Sequence, residues 1–239
     1  MIGFDRELRP EWIYKTLLLS KFGQKLGELN KPFEDIANDI GGKEAIRKIR
    51  TVLFRIFLRD DKRINYAKEK NIIKELSQNN SIEYMAPIYL FYLIGKSEVL
   101  IDISKHIFRL YNFGDEISAN FLRQKMINVS GDRDVVRRSV SRFLDTLENF
   151  NVINKSNGKT YLNKKLHIDE KQLLIILKLL FEDIMKTPQI SLNHLPEMLF
   201  NFFEYDDIKN IAHKYNGIYW DYQIKLGDEF INYNKKIEF

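Results

Sequence analysis

Glu116–Ile127 (EISANFLRQKMI), Asn128–Gly131 (NVSG), Arg133–Phe150 (RDVVRRSVSRFLDTLENF) and the flanks of Ser156–Lys159 (SNGK) decide how this chain folds. The first stretch places Ile117, Phe121, Leu122 and Met126 at helical spacing, so all four are expected to face inward. The third does the same with Val136, Val140, Phe143, Leu147 and Phe150, and its length predicts a long amphipathic helix. At Val152 the period drops from 3.6 to 2. Val152–Lys155 and Thr160–Leu162 read as two strands, and Asn157-Gly158 between them is a strong hairpin signal. A further helix is expected just before, over Glu98–Leu110, with Val99, Leu100, Ile103, Ile107 and Leu110 inward and a break at Tyr111–Asp115.

Helix, short helix, turn, long helix, hairpin is the order of a winged helix-turn-helix, expected here over residues 97–168. In such a module the long helix turns one face to its own core and the other to the DNA major groove. Opposite Val136, Val140 and Phe143 lie Arg133, Arg137 and Ser141, each four residues apart and so stacked in one stripe. Arg138 and Arg142 form a parallel stripe. The planar guanidinium pairs bidentately with guanine or phosphate, which makes arginine the apt residue for this face. Lys155 and Lys159 flank the hairpin tip, with Lys164 and Lys165 at its exit. A module of this shape also serves for protein docking, and the Asp134–Arg138 and Arg142–Asp145 spacings allow pairing within the helix.

Outward from this block the chain reads as helical lobes on both sides. Residues 1–96 form an N-terminal lobe, with helices expected over 10–28, from Asn30 to Asp39, over Lys43–Leu58, over 65–77, and near 86–94 with Pro87 in its first turn. Gly41-Gly42 stops the second of these, as glycine commonly does at a helix end. Residues 31–58 therefore read as helix, glycine turn and basic helix, a second candidate helix-turn-helix in which Lys43, Arg47 and Arg50 share a face. A long surface helix would read the same way. Residues 169–239 form a C-terminal helical lobe, with helices over Lys171–Lys186, Leu195–Phe203 and Asp206–Tyr215. Its tail alternates loosely (Ile218, Trp220, Tyr222, Ile224, Leu226), which fits a short strand. The fold class is thus all-α with a small β-hairpin, helical lobes flanking a winged helix-turn-helix.

Charge agrees with this division. The chain of 239 residues carries a net +5. Residues 43–63 hold eight Lys and Arg (Lys62 and Arg63 among them) against three acids, and residues 131–165 hold eight against four. Clustered cations are the footprint of a nucleic-acid binder, although solvated helix faces produce the same count. No cysteine is present, so disulfides and thiolate metal sites are excluded. The opening residues lack an apolar stretch, and the longest apolar runs fall short of a membrane span. A soluble, cytoplasmic protein is expected. His106, His167, His194 and His213 are scattered without metal-ligand spacing, and no nucleophile elbow, phosphate loop or dinucleotide fingerprint occurs. Neither a metal nor another cofactor is expected, and catalysis finds no footing.

The opening Leu8-Arg-Pro-Glu-Trp, the run Pro87-Ile-Tyr-Leu-Phe-Tyr-Leu-Ile, and Ile101–Leu110 leading into the central block together resemble the BrxA family, small accessory proteins of BREX phage-defence systems. The resemblance rests on order, length and hydrophobic pattern over most of the chain. It implies a non-catalytic protein that binds double-stranded DNA within a multi-component antiviral system alongside other defence proteins. Two other readings remain open: a dimeric transcriptional regulator, its homodimer surface supplied by Phe200, Phe202, Phe203 and Tyr205, and a docking adaptor that never touches DNA.

Overall fold

A computed structural model describes residues 3–60 and 64–233; Lys62 and Arg63 lie outside them. The chain is mostly helical with small sheets. It divides into two compact units, the first ending at Lys164 and the second beginning at Lys165. The block expected over 1–96 and all but the last four residues of that expected over 97–168 therefore share one unit, and residues 165–168 fall in the second.

In the first unit, α1 (Pro10–Leu19) opens with proline, whose missing N–H costs nothing in a first turn. It stops nine residues earlier than the expected helix over 10–28. Ser20 leaves the helix in extended conformation, and residues 23–26 then bond to 65–68 instead (Ala67 N–H to the Gln24 carbonyl, 2.8 Å; Leu26 N–H to the Asn65 carbonyl, 2.9 Å). The same pairing removes 65–71 from the helix expected there. That helix, α4 (Ile72–Asn79), starts only where the Asn71 side chain accepts the Lys74 N–H. Between them come α2 (Asn30–Ile36) and α3 (Lys43–Leu53), which continues as one wider turn, Phe54–Leu58. Next, α5 (Ile82–Gly95) starts at the Ser81 cap, so Pro87 sits inside the helix rather than in its first turn. Its residues 85 and 87–94 are buried on every side, the mark of a central helix. Lys74, itself buried, donates to the carbonyl of Leu17 in the last turn of α1 (2.9 Å) and so satisfies a helix end.

The remainder of this unit follows the expected order: α6 (Glu98–Leu110), α7 (Ala119–Ser130), α8 (Asp134–Asn149), β1 (Ile153–Ser156) and β2 (Lys159–Leu162). Helix α6 packs against α7 and α8. Strands β1 and β2 pair antiparallel from Ile153–Leu162 to Ser156–Lys159. Asn157 and Gly158 both take positive φ (51° and 74°), the mirror-image turn that matches strand twist.

The second unit departs from an all-helical lobe. Its elements are β3 (Leu166–His167), α9 (Glu170–Leu179, extended by Leu180–Ile184), β4 (Gln189–Ser191), α10 (Glu197–Phe200), β5 (Phe203–Glu204), α11 (Ile208–Lys214), β6 (Trp220–Lys225) and β7 (Asp228–Tyr233). Strands β3 and β5 form a short parallel pair, and β4-β7-β6 form an antiparallel sheet. The loose alternation of the tail is a whole hairpin, turning at Leu226-Gly227, rather than one strand. Asp169 and Gln172 form a reciprocal cap at the start of α9. Phe200, Phe202 and Phe203 are buried core residues, not an exposed dimer surface.

Candidate nucleic-acid interface

Helix α8 positions the central arginines, and its inward face is as the spacing predicts. Val136, Val140, Phe143, Leu147 and the capping Phe150 are all buried. Gly131 ends α7 at φ 79°, a conformation costly for a residue with a side chain. Arg133 occupies the cap position of α8, and Asp134 lies in the first turn, where a negative charge suits the helix dipole.

Two features frame this helix that the sequence pattern did not suggest. Residues 114–117 lie antiparallel beside β2: Ile117 N–H bonds the Thr160 carbonyl at 2.7 Å, and Leu162 N–H bonds the Asp115 carbonyl at 3.0 Å. The hairpin is thereby tied into a third strand-like segment just before α7. The other feature is the N-terminal segment, which runs extended along α8. Phe4 N–H donates to Ser139 Oγ (2.9 Å), Leu8 N–H donates to Thr146 Oγ1 (3.0 Å), and Phe4 meets Phe143 edge-on at 6.4 Å. Gly3 approaches so closely that a Cβ there would lie 1.9 Å from Val135 Cγ2.

The expected contact residues sort into three groups. Arg133, Arg137 and Arg138 are exposed at the start of α8. Arg133 donates to the Ser130 carbonyl (3.0 Å), Arg138 only reaches the Asp134 carbonyl (3.4 Å), and Arg137 forms a two-bond pair with Asp132 (2.8 and 2.6 Å) that raises its pKa. Ser141, half-buried, accepts from Arg123 of α7 at 2.7 Å. Arg142 points back to the N-terminal segment, held by Glu7 (3.2 Å) and Asp145 (3.0 Å).

At the hairpin, Lys155 sits between Asp145 (2.6 Å) and Glu148 (2.7 Å). Burial works against its charge there, but the two carboxylates outweigh it and push its pKa up. Lys159 pairs with Glu116 at 2.7 Å, which also raises its pKa. Lys164 is exposed at the end of the first unit, and Lys165 is exposed at the start of the second.

Along α3 the charges are quenched more thoroughly. Glu44 takes two bonds from Arg47 (2.8 and 2.7 Å) and lies 3.4 Å from Lys48; the Arg47 guanidinium holds its carboxyl down at about 2. Arg50 is only 15% exposed, lies against α2 within 3.8 Å of Glu34, and is made less basic by burial. Lys43 is exposed in the first turn.

Sequence reasoning missed Arg123. It bonds Asn120 (2.6 Å) and Ser141, and with Asn120, Gln124, Ile127 and Arg137 it lines a cleft of about 490 Å³ between α7 and α8. The signal was its place one turn after Asn120, on the side of α7 that meets α8. Phe121 was expected inside but is 45% exposed, with Lys125 Nζ 4.9 Å from its ring centre. Leu122 and Met126 take the core-facing positions, and Phe121 lies roughly 100° round the helix from Leu122.

Among the described residues no cluster of three or more His, Asp and Glu is arranged to hold a metal, and no helix is long and apolar enough to cross a membrane. Comparison with protein-family models, curated proteins and solved structures found no match to this chain.

Proposed function

We propose that this protein binds double-stranded DNA without catalysis, through a winged helix-turn-helix made of α6, α7, α8 and the β1–β2 hairpin. The observation that carries the reading is the start of α8: Arg133, Arg137 and Arg138 face solvent while Val136 and Val140 of the same turns are buried. A recognition helix makes its base contacts from this N-terminal half. Arg123 and the cleft beside it add a positive wall on α7 that fits a phosphate. The resemblance to the BrxA family extends the proposal to an accessory role in a BREX-like defence system.

The ion pairs limit how strong the contact can be. Arg137, Arg142, Lys155 and Lys159 already hold carboxylate partners; Arg123, Arg133 and Arg138, together with Arg137 once it exchanges Asp132 for the ligand, are the main phosphate and base ligands. Four phosphate contacts would give log K against log salt a slope of about −3 to −4. Fluorescence anisotropy with a labelled random-sequence duplex, across a salt series, tests this. A slope near zero would remove the electrostatic account.

Docking of another protein is the second reading, favoured by the same paired lysines. A face of alternating, mutually satisfied charges suits a polar protein surface better than a polyanion. Absence of duplex binding at low salt, together with retention of a defence-system partner, would favour it.

A further inference from the structure

Strand β6 is the outer strand of the β4-β7-β6 sheet, and its exposed edge carries a pattern with two-fold symmetry. Its residues Asp221-Tyr-Gln-Ile-Lys225 run acid, aromatic, polar, aliphatic, base. Asp221, Gln223 and Lys225 point to one face of the sheet, and Tyr222 and Ile224 to the other. Neither Asp221 nor Lys225 has an ion-pair partner among the described residues, and Ile224 is 66% exposed.

The backbone of this edge is open only toward its C-terminal end, since Gly217 N–H already donates to the Trp220 carbonyl at 2.7 Å and Asn216 bridges Trp220. Lys225 pairs with Asp228 across the two-residue turn, so Lys225, Gln223 and Asp221 exchange their bonds with β7. The peptide groups of Tyr222 and Ile224 therefore point away from the sheet. One of them is already occupied: Tyr222 N–H donates to the side-chain oxygen of Asn216 at 2.8 Å. The Ile224 N–H and the Tyr222 and Ile224 carbonyls face outward.

We propose that β6 is the contact edge of a symmetric dimer, in which a second copy of this chain lays its own β6 antiparallel alongside, with the two-fold axis at Gln223. Because only residues 222 and 224 present outward peptide groups, the axis must pass through Tyr222, Gln223 or Ile224. Only the Gln223 register sets Asp221 opposite Lys225 of the second copy, and does so at both ends. It also sets Tyr222 opposite Ile224, covering the exposed Ile224. Moving the axis to Tyr222 puts Asp221 opposite Gln223 and Lys225 opposite Tyr219; moving it to Ile224 puts Asp221 opposite Gly227 and Lys225 opposite Gln223. In this register Asp221 and Lys225 fall at pairs without hydrogen bonds, where side chains approach most closely. The matching of charge to charge identifies a second copy as the occupant, since an unrelated strand has no need to be complementary to β6 in this reversed order.

Asn216 makes the dimer weak. Its side-chain oxygen stands where the second copy's Ile224 carbonyl would bond Tyr222 N–H, and Gly217 N–H holds the Trp220 carbonyl beside it, so the 216–217 loop must be displaced when the edges meet. The short edge and small area place the association in the micromolar range or weaker.

The proposal does not depend on DNA binding, and its test needs no DNA. Sedimentation equilibrium on the full chain, over about micromolar to millimolar concentration, should show a reversible monomer–dimer equilibrium. Asp221→Lys sets like charges together at both ends and should weaken it about tenfold or more. Adding Lys225→Asp to that variant should restore it. Ile224→Pro removes an N–H that β7 does not use, a place where an edge strand tolerates proline, and should abolish the dimer. Asn216→Ala should tighten it. Should Ile224→Pro melt well below the parent, the charge swap alone decides, because both of its side chains are exposed. A monomer throughout, or a dimer indifferent to Asp221→Lys and not rescued by the swap, overturns the proposal; so does an edge that captures a peptide strand and never a second copy.

Discussion

Helices α3 and α8 look alike as strings of letters and differ as surfaces. Each is amphipathic, each follows a glycine turn, and each carries several arginines. On α3 a single carboxylate, Glu44, binds Arg47 and lies near Lys48, while Arg50 is folded down against α2. On α8 Asp132 binds Arg137 in the same two-bond way, but the other pairing acids lie near the C-terminal half and the hairpin, leaving Arg133 and Arg138 bonded only to carbonyls. A count of cations treats both helices as equal. What separates them is where the carboxylates fall one turn away, and whether another element lies across the face.

The comparison can be broken from the inside. Phe143→Ala empties a fully buried site under α8, where Phe4 meets Phe143, and should cost about 3 to 5 kcal/mol in a denaturant melt. DNA affinity should fall with it, as the arginines lose their scaffold. The matching change on α3, Ile49→Ala, should cost about 2 to 5 kcal/mol yet leave affinity unchanged wherever the protein remains folded. A smaller break is Ser139→Ala, which strips the acceptor from the buried Phe4 N–H and should cost about 1 to 3 kcal/mol. Among the described residues, helix α3 has no such strap.

Much of α8 was legible because its signals are local. Val136 to Phe150 repeat at helical spacing, and Asn157-Gly158 dictates its turn whatever surrounds it. Most of the misses were non-local. Nothing within residues 3–9 reveals that they lie along α8, although Ser139 and Thr146, two polar residues seven apart on a helix, were the trace of it. Residues 65–71 read as the start of the helix expected over 65–77, but 65–68 pair with 23–26, a contact that only the fold creates. Residues 114 and 115 read as a break and 116 and 117 as the start of a helix, yet all four lie beside β2 for the same reason, and α7 begins only at Ala119. The tail was underread because Leu226, at φ 54°, takes a turn conformation that leucine rarely adopts, so no Asn or Asp marked the hairpin. At the candidate site, spacing placed Arg137 and Arg138 correctly on the surface but could not foresee the pairing of Arg142 with Glu7, 135 residues away.

Weaker perturbations sharpen the same contrast. Lys155→Ala with Lys159→Ala removes two lysines that already hold carboxylates, so affinity should fall by less than about 1 kcal/mol and equally for every duplex sequence. Acid should also distinguish α3 from α6, the helix of His106 that packs against α8. Burial, and then nearby Arg109, hold the His106 pKa below its ordinary 6.5, so the unfolded chain takes up the proton first. The contribution of His106 is present above pH 6.5 and declines as pH falls toward the folded-state value; His106→Gln should flatten that slope in melts between pH 5 and 8. On α3 the Glu44 carboxyl is lowered from 4.5 to about 2, so its pairing with Arg47 contributes fully above pH 4.5 and is lost only as pH falls toward 2.

The most direct measurement sets the two basic faces against each other on one ligand. Arg137→Ala with Arg138→Ala on α8, and Lys43→Ala with Arg47→Ala on α3, each leave the buried faces intact, and alanine suits a helix at least as well as the residues it replaces. Both variants should melt within about 0.5 kcal/mol of the parent. In anisotropy titrations with the same labelled duplex, the α8 variant should lose about 1 to 3 kcal/mol for each base contact removed, tenfold or more in affinity, while the α3 variant stays close to the parent. Equal binding by the parent and the α8 variant, or a loss confined to the α3 variant, would contradict the assignment of α8 as the DNA-reading helix.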